Sequence, residues 1–325
     1  MMKATVYDRY GLPDVLQFKE VNKPVIKDDE VLVRVCASSV NSWDWDLLKG
    51  SPYIVRLGGL TNPKFKILGA DIAGVVEAVG KNATQFKPGD EVFGDLSAGN
   101  WGGFAEYVNA AEKALALKSS SMTFAEAAAT PQAGVLALQA LNYNGAIKLG
   151  QKILINGAGG GVGTFAIQMA KTFGAEVTAI DSSEKLKLLR SLGADHVIDY
   201  TEVDFTKTGE CYDLILDVFA YRSIADYKRA LNPKGVCVFI GGIMSKVLPA
   251  IFFGSLIDLR SGKKIAVLMH KPNPADLATI NNLFESGKVK PIIDRCYTAD
   301  KVADALTYFG TAKMQGKVVI TFDKK

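Results

Sequence analysis

The sequence predicts an α/β protein in which a partly closed antiparallel β-barrel precedes a doubly wound parallel sheet. Three observations predict it. Short alternating strands broken by Gly and Pro fill the first 110 residues, strands and helices alternate after Ser119, and the glycine-rich run Gly157–Gly163 joins a strand to a helix. A chain of 325 residues has room for two domains of about 150 residues each.

The elements follow in order. Lys3–Tyr7 and Glu30–Ala37 alternate as half-buried strands do. Gly74–Val79 and Glu91–Phe93 are further strands, with KPGD at Lys87–Asp90 as a turn before the second. Thr123-Phe-Ala-Glu126 is a capping box that starts a short helix. Thr130 reads as the N-cap of the next helix, with Pro131 at its first position. Strand Lys152–Asn156, helix Gly161–Phe173, strand Glu176–Ile180 and helix Ser183–Leu192 then alternate. Strands His196–Asp199, Tyr212–Asp217, Val236–Ile240 and Ile265–Met269 follow, with a helix over Ser223–Leu231. A helix after Asp276, another over Ala299–Gly310 and a terminal strand Lys317–Phe322 close the chain. The strand-rich tail is expected to return to the barrel. This places a first domain at 1–120, rejoined by 289–325, and the parallel sheet at 121–288.

Composition excludes several classes. The hydrophobic set at 48% and charged residues at 22% are ordinary for a globular protein. A net charge of +4, without a block of like charges, argues against a nucleic-acid binder. Cys36, Cys211, Cys237 and Cys296 show no C-x-x-C spacing, and His196 and His270 lie near none of them in sequence. A structural zinc lobe is therefore excluded, and buried free thiols in a reducing compartment are expected. Neither histidine is placed as a general base. The most apolar run, Val247–Ile257, contains Pro249 and Gly254 and falls short of the about 20 residues of a membrane span. With no signal-peptide pattern at the start, a soluble cytoplasmic protein is expected.

The glycine run carries the chemistry. Without side chains at Gly157, Gly160, Gly161 and Gly163, backbone N–H groups can approach a pyrophosphate at the positive end of the helix. Asp181 closes the next strand, 18 residues after Gly163. There a carboxylate accepts the hydroxyls of an adenosine ribose and repels a 2′-phosphate. Asp181 also reads as a helix cap. Ser182, Ser183 and Lys185 follow at once and suit a phosphate. The balance slightly favours NADH over NADPH.

The chain resembles the medium-chain dehydrogenase/reductase superfamily, in its zinc-independent quinone oxidoreductase-like branch. The resemblance rests on VNSWDW (Val40–Trp45), LGADIAGVVEAVG (Leu68–Gly80), FKPGDEVFG (Phe86–Gly94) and GGFAEYV (Gly102–Val108). It continues through TFAEAAATPQAG, INGAGGGVGTFAIQMAK, LRSLGADHVIDY and GKVVITF. It implies a GroES-like barrel, a Rossmann domain and an active site in the cleft between them. The positions of the catalytic zinc ligands in zinc-dependent relatives hold Asn41 and Ala70, and the cysteine cluster of a structural zinc is missing from Gly94–Gly103. No zinc is therefore expected. The implied reaction is hydride transfer from NAD(P)H to a quinone or an α,β-unsaturated carbonyl.

The resemblance also implies roles for single residues. Asn41 matches an asparagine near the nicotinamide ribose, Thr130 a threonine near the nicotinamide, and Tyr200 a tyrosine at the adenosine phosphate end. Val162 completes the pyrophosphate loop, and Gly241 and Gly242 follow a sheet strand on the ligand side. The family's two cleft tyrosines fall on Asp46 and Pro52, with Tyr53 one residue on, so Tyr53 is the expected proton donor beside Asp46 and Asn41. Trp43 and Trp45 stack on a flat acceptor or simply pack. Asp44 reads as structural and Lys317 as a surface charge. Gly242–Lys264 is expected to roof the substrate pocket or to form an interface of a homodimer. Two rival readings remain. An enoyl-thioester reductase would use Lys64 and Lys66 as a basic entrance. A cofactor-sensing interaction protein would show little turnover.

Overall fold

The computed structural model describes residues 1–57, 59–253 and 262–322. Its strands are β1 (Met2–Val6), β2 (Gln17–Val21), β3 (Glu30–Ser39), β4 (Asp71–Val79), β5 (Glu91–Asp95), β6 (Tyr107–Ala111), β7 (Leu115–Leu117), β8 (Lys152–Asn156), β9 (Glu176–Asp181), β10 (His196–Asp199), β11 (Tyr212–Asp217), β12 (Leu231–Phe239), β13 (Lys264–Val267), β14 (Ile293–Thr298) and β15 (Lys317–Thr321). Its α-helices are α1 (Ser42–Lys49), α2 (Phe124–Ala128), α3 (Pro131–Leu141), α4 (Gly161–Thr172), α5 (Leu186–Ser191), α6 (Ile224–Arg229), α7 (Met244–Phe253), α8 (Pro274–Glu285) and α9 (Val302–Gly310). The chain divides into two compact units. One is Met1–Gln132 with Pro272–Ser286 and Pro291–Lys325, and the other is Ala133–Lys271 with Gly287–Lys290. Helix α8, which the sequence groups with the parallel sheet, belongs to the first unit, where Asn281 accepts the Ser119 N–H.

The first unit is built around β3. It pairs antiparallel with β4, β6 and β15, so nearly all of its side chains are buried. Val31, Val33 and Val35 meet Ile72, Val76 and Val92 in one apolar cluster. A second cluster joins Leu47 and Leu48 of α1 to Leu306 of α9 and Ile320 of β15. In the tail, β15 pairs with β3, and β14 lies parallel outside β15. Strand register decides which residues meet at the sheet's end. Ser39, at the end of β3, pairs with Asp71 on one side and Val319 on the other. That brings the residue after β3, the start of β4 and the start of β15 to one end of the sheet.

The second unit is a six-stranded parallel sheet in the order β10-β9-β8-β11-β12-β13. Ile153, Leu154 and Ile155 of β8 are fully buried, as a strand covered on both faces must be. Strand β8 lies between β9 and β11, where the strand order reverses. Ligands of such sheets bind beyond the carboxyl ends of the strands at that switch point.

Several expectations need correction. Thr130 does not cap α3: its hydroxyl turns back and donates to the Glu126 carbonyl at 2.7 Å, and the Asp71 carboxylate takes the Gln132 N–H instead at 3.0 Å. The Ser183–Leu192 helix divides into a 3-10 turn, Ser183–Lys185, followed by α5. Strand β2 and helix α1 carry weak apolar periodicity and go unread in the sequence. The thiols of Cys36 and Cys237 are buried, but Cys296 is exposed. Of the Gly242–Lys264 segment, Met244–Phe253 forms α7, and residues 254–261 lie outside the described residues. Among the described residues no helix is long and apolar enough to cross a membrane.

Candidate functional site

The second unit presents the glycine loop at its switch point. Gly157, at φ +76°, turns the chain out of β8 as only glycine does cheaply. The N–H groups of Gly157 and Ala158 both donate to the Ile180 carbonyl at 3.0 Å, which ties the loop to β9. Gly160 is the N-cap of α4, and Gly161 and Val162 form its first turn, partly exposed. A methyl group at Gly163 would run into the backbone of Ala158, so helix and loop touch there without room for a side chain. This cradle fits a dinucleotide pyrophosphate. Its open face is bare backbone, and α4 directs its free N–H groups outward from its first turn.

Asp181 and Lys185 close one side of the loop. Asp181 accepts the Gly159 N–H at 2.8 Å and the Ser182 N–H at 2.9 Å. The Lys185 ammonium stands 3.3 Å from the same carboxylate, both side chains being buried. The Lys185 chain lies across Gly159, where any side chain would collide with it. Tyr200 donates its N–H to the Asp181 carbonyl at 3.3 Å and is half exposed. Gly241 and Gly242 come close to the backbone of Val218 and Ala220, so a side chain at either would strike a carbonyl of the loop after β11. Their glycines serve that backbone approach.

The first unit holds a buried polar cluster at the end of its sheet. Asp71 is fully buried. One of its oxygens accepts the Ser39 hydroxyl at 3.0 Å and the Asn41 amide at 2.9 Å, and the other accepts the Gln132 N–H. Lys317 is only 4% exposed. Its ammonium donates to the Val40 carbonyl at 3.1 Å and to the Asn41 amide oxygen, and stands 3.5 Å from Asp71. The surface charge expected of Lys317 is thus wrong. Residues 41 and 317 lie 276 positions apart, and no local pattern announces such a pair. Asp44 is structural, as its sequence reading has it. It accepts the Asn41 N–H and the Gly69 N–H, each at 2.8 Å. Burial pushes the Asp44 carboxyl up to about 7. Burial also raises Asp71, against the pull of the Lys317 ammonium, and lowers Lys317 against the pull of Asp71.

Tyr53, Asp46, Trp45 and Trp43 make other contacts. Tyr53 is 81% exposed, with the Arg56 guanidinium 4.9 Å from its ring. Asp46 lies on α1, its carboxyl raised by burial to about 6. Trp45 packs over Gly310 and joins the core, while Trp43 is exposed.

Comparison with known proteins places this geometry. Residues 27–120 match the alcohol dehydrogenase GroES-like domain and residues 192–320 the zinc-binding dehydrogenase family. The chain is 37% identical to the 2-methylene-furan-3-one reductase of Solanum lycopersicum, over 98% of this chain and 79% of that protein. The chain belongs to the medium-chain dehydrogenase/reductase superfamily. Another relative within this superfamily is the chloroplastic NADPH-dependent alkenal/one oxidoreductase of Arabidopsis thaliana, 34% identical over 98% of this chain and 79% of that protein. The solved structure of the quinone oxidoreductase from Coxiella burnetii superposes with a TM-score of 0.87 at 27% identity, covering 98% of this chain and 99% of that one.

Zinc-dependent members of the medium-chain dehydrogenase/reductase superfamily coordinate their metal at the positions of Asn41 and Ala70. The residues here do not fit that ion. Ala70 has no donor atom, and the Asn41 oxygen already holds an ammonium that would repel a second cation. Among the described residues no group of three or more His, Cys, Asp or Glu side chains is arranged to hold a metal.

Proposed function

We propose that the chain is a zinc-independent, NAD(P)H-dependent oxidoreductase that passes hydride to a quinone or an α,β-unsaturated carbonyl. The observation that carries this reading is the glycine cradle at the switch point of the parallel sheet, with Asp181 and Lys185 beside it. When bound, the reduced nicotinamide supplies the hydride. The chain's residues do the rest. The Gly157–Gly163 backbone and the start of α4 hold the pyrophosphate. Asp181, Ser182, Lys185 and Tyr200 receive the adenosine end, and Asn41 and Thr130 are assigned to the nicotinamide end. Gly241 and Gly242 complete the cofactor contacts.

Two electrons and one hydrogen reach the conjugated system of the acceptor as hydride, and a proton follows to its oxygen. Tyr53 is assigned as donor, with water as its substitute. Asp46, raised to about 6, is the second proton-holding group. Delocalisation of the arriving charge over the acceptor removes the need for a Lewis acid.

The coenzyme preference is finely balanced. Asp181 repels a 2′-phosphate and Lys185 attracts one, and the two are paired. NADH is slightly favoured. The thioester reading stays as the alternative, with Lys64 and Lys66, the latter 3.7 Å from Asp8, as its basic entrance. A homodimer in the cytoplasm, without nucleic acid, is the setting this reading takes. A monomeric mass at micromolar concentration would overturn the dimer.

The test is loss of reduced-nicotinamide absorbance, with NADH and NADPH in parallel against a panel of quinones and enones. Turnover with a member of the panel is expected. Cofactor binding without turnover overturns the acceptor class, and failure to bind either cofactor overturns the whole reading.

A further inference from the structure

We infer that Lys317 is a positioning residue that fixes the Asn41 side-chain amide for the bound cofactor. The inference rests on the reading that Asn41 faces the nicotinamide end. One ammonium carries three hydrogens. They meet the Val40 carbonyl, the Asn41 amide oxygen and the Asp71 carboxylate. Asp71 in turn accepts from the Asn41 amide nitrogen. The two ends of the Asn41 amide thus have partners of opposite kind, a cation at the oxygen and an anion at the nitrogen. Turning the amide over would set its NH2 against the ammonium and its oxygen against the carboxylate.

One orientation survives: the oxygen takes the ammonium and, in the capping box of α1, the Asp44 N–H, and one amide hydrogen is left for a ligand. An uncompensated ammonium or carboxylate buried this deeply is costly, so the pair and the amide lock one another. Backbone holds the far end of the arrangement. Gly316, at φ +91°, turns the chain into β15, and the Lys317 N–H donates to the Ile292 carbonyl at 2.8 Å. Arginine would not replace this lysine. Its planar fork carries the same charge but cannot seat a compact point donor between the Val40 and Asn41 oxygens.

The test is a double-mutant cycle on the full chain, read as the dissociation constants of NADH and NADPH from reduced-nicotinamide fluorescence, with thermal midpoints measured alongside. Lys317→Met and Asn41→Ala are each expected to weaken cofactor binding about tenfold. The double variant is also expected to lose about tenfold rather than a hundredfold, because the lysine acts through the asparagine. Lys317→Arg keeps the charge facing Asp71 and is expected to recover part of the thermal midpoint and none of the affinity. It also carries the cycle if Lys317→Met does not fold. Additive losses overturn the inference, as does affinity that recovers with the midpoint in Lys317→Arg. A wild-type chain that binds neither cofactor overturns the reading beneath the inference and the inference with it. Wild-type binding with additive losses overturns the inference alone.

Discussion

At Asp181 a single carboxylate accepts two N–H groups and faces an ammonium. Replacing it with serine removes the carboxylate that faces Lys185 and the charge that repels a 2′-phosphate. Asp181→Ser is expected to move the kcat/KM ratio toward NADPH by about tenfold or more. An unchanged ratio would remove Asp181 from coenzyme choice. Asp44 makes a different claim. Its carboxyl sits at about 7 in the folded chain against an ordinary 3.8. The folded state therefore holds this proton more tightly than the unfolded state. Through this group the unfolding free energy falls as pH rises from about 4 to about 7, and it is level on either side. In Asp44→Asn the slope of stability over that window should become more positive by up to one proton's worth. An unaltered slope in urea titrations would show that Asp44 ionises normally. At this scale the sequence was legible where a residue's partners are close in the chain. Asp181 and its glycine loop were readable from strand–turn–helix spacing. The cap of α3 was not, because Asp71 lies 61 residues before Gln132 and Thr130 had the right chemistry for the role.

Elements were legible wherever a local signal marked their ends. The Thr123 box is formed as written: its hydroxyl accepts the Glu126 N–H at 3.2 Å, and the Glu126 carboxylate takes the Thr123 N–H at 3.0 Å. Thr123→Ala should cost about 1 kcal/mol, seen as a lower urea midpoint at unchanged slope. Helix α4 tests the loop. Because Gly163 touches the Ala158 backbone, Gly163→Ala must push the helix off the loop. Cofactor binding should weaken by about tenfold or more, and stability should fall by about 1–3 kcal/mol. Normal affinity in that variant would mean that the cradle yields easily. Helix α1 shows where reading stopped. It alternates Trp and Asp in SWDWDLLK, and its buried face includes the Asp44 carboxylate, which no apolar periodicity counts.

Across the whole molecule, the parallel sheet was readable because each of its strands is followed closely by a helix or turn with its own punctuation. The first unit was harder. Its sheet is assembled from segments far apart in sequence, and its second crossing, 272–286, looks locally like any other helix. The zinc-free reading proposed for the donor set at Asn41 and Ala70 has a direct consequence. Prolonged treatment with a strong chelator should leave turnover unchanged. Loss of activity that added zinc restores would overturn the zinc-free reading.

The return of the tail also bears on how the protein is made. Synthesis is vectorial and usually lets the leading domain fold first. Here the leading unit cannot finish first. Its buried Asp71 waits for an ammonium supplied by residue 317, and β3 waits for β15 along one edge. Most of the second unit is one continuous stretch, Ala133–Lys271, and that stretch, lacking only Gly287–Lys290, emerges while the first unit is still open. On the ribosome the order of maturation is therefore reversed, and the charge cluster closes only after residue 317 has emerged, well behind Ala133–Lys271.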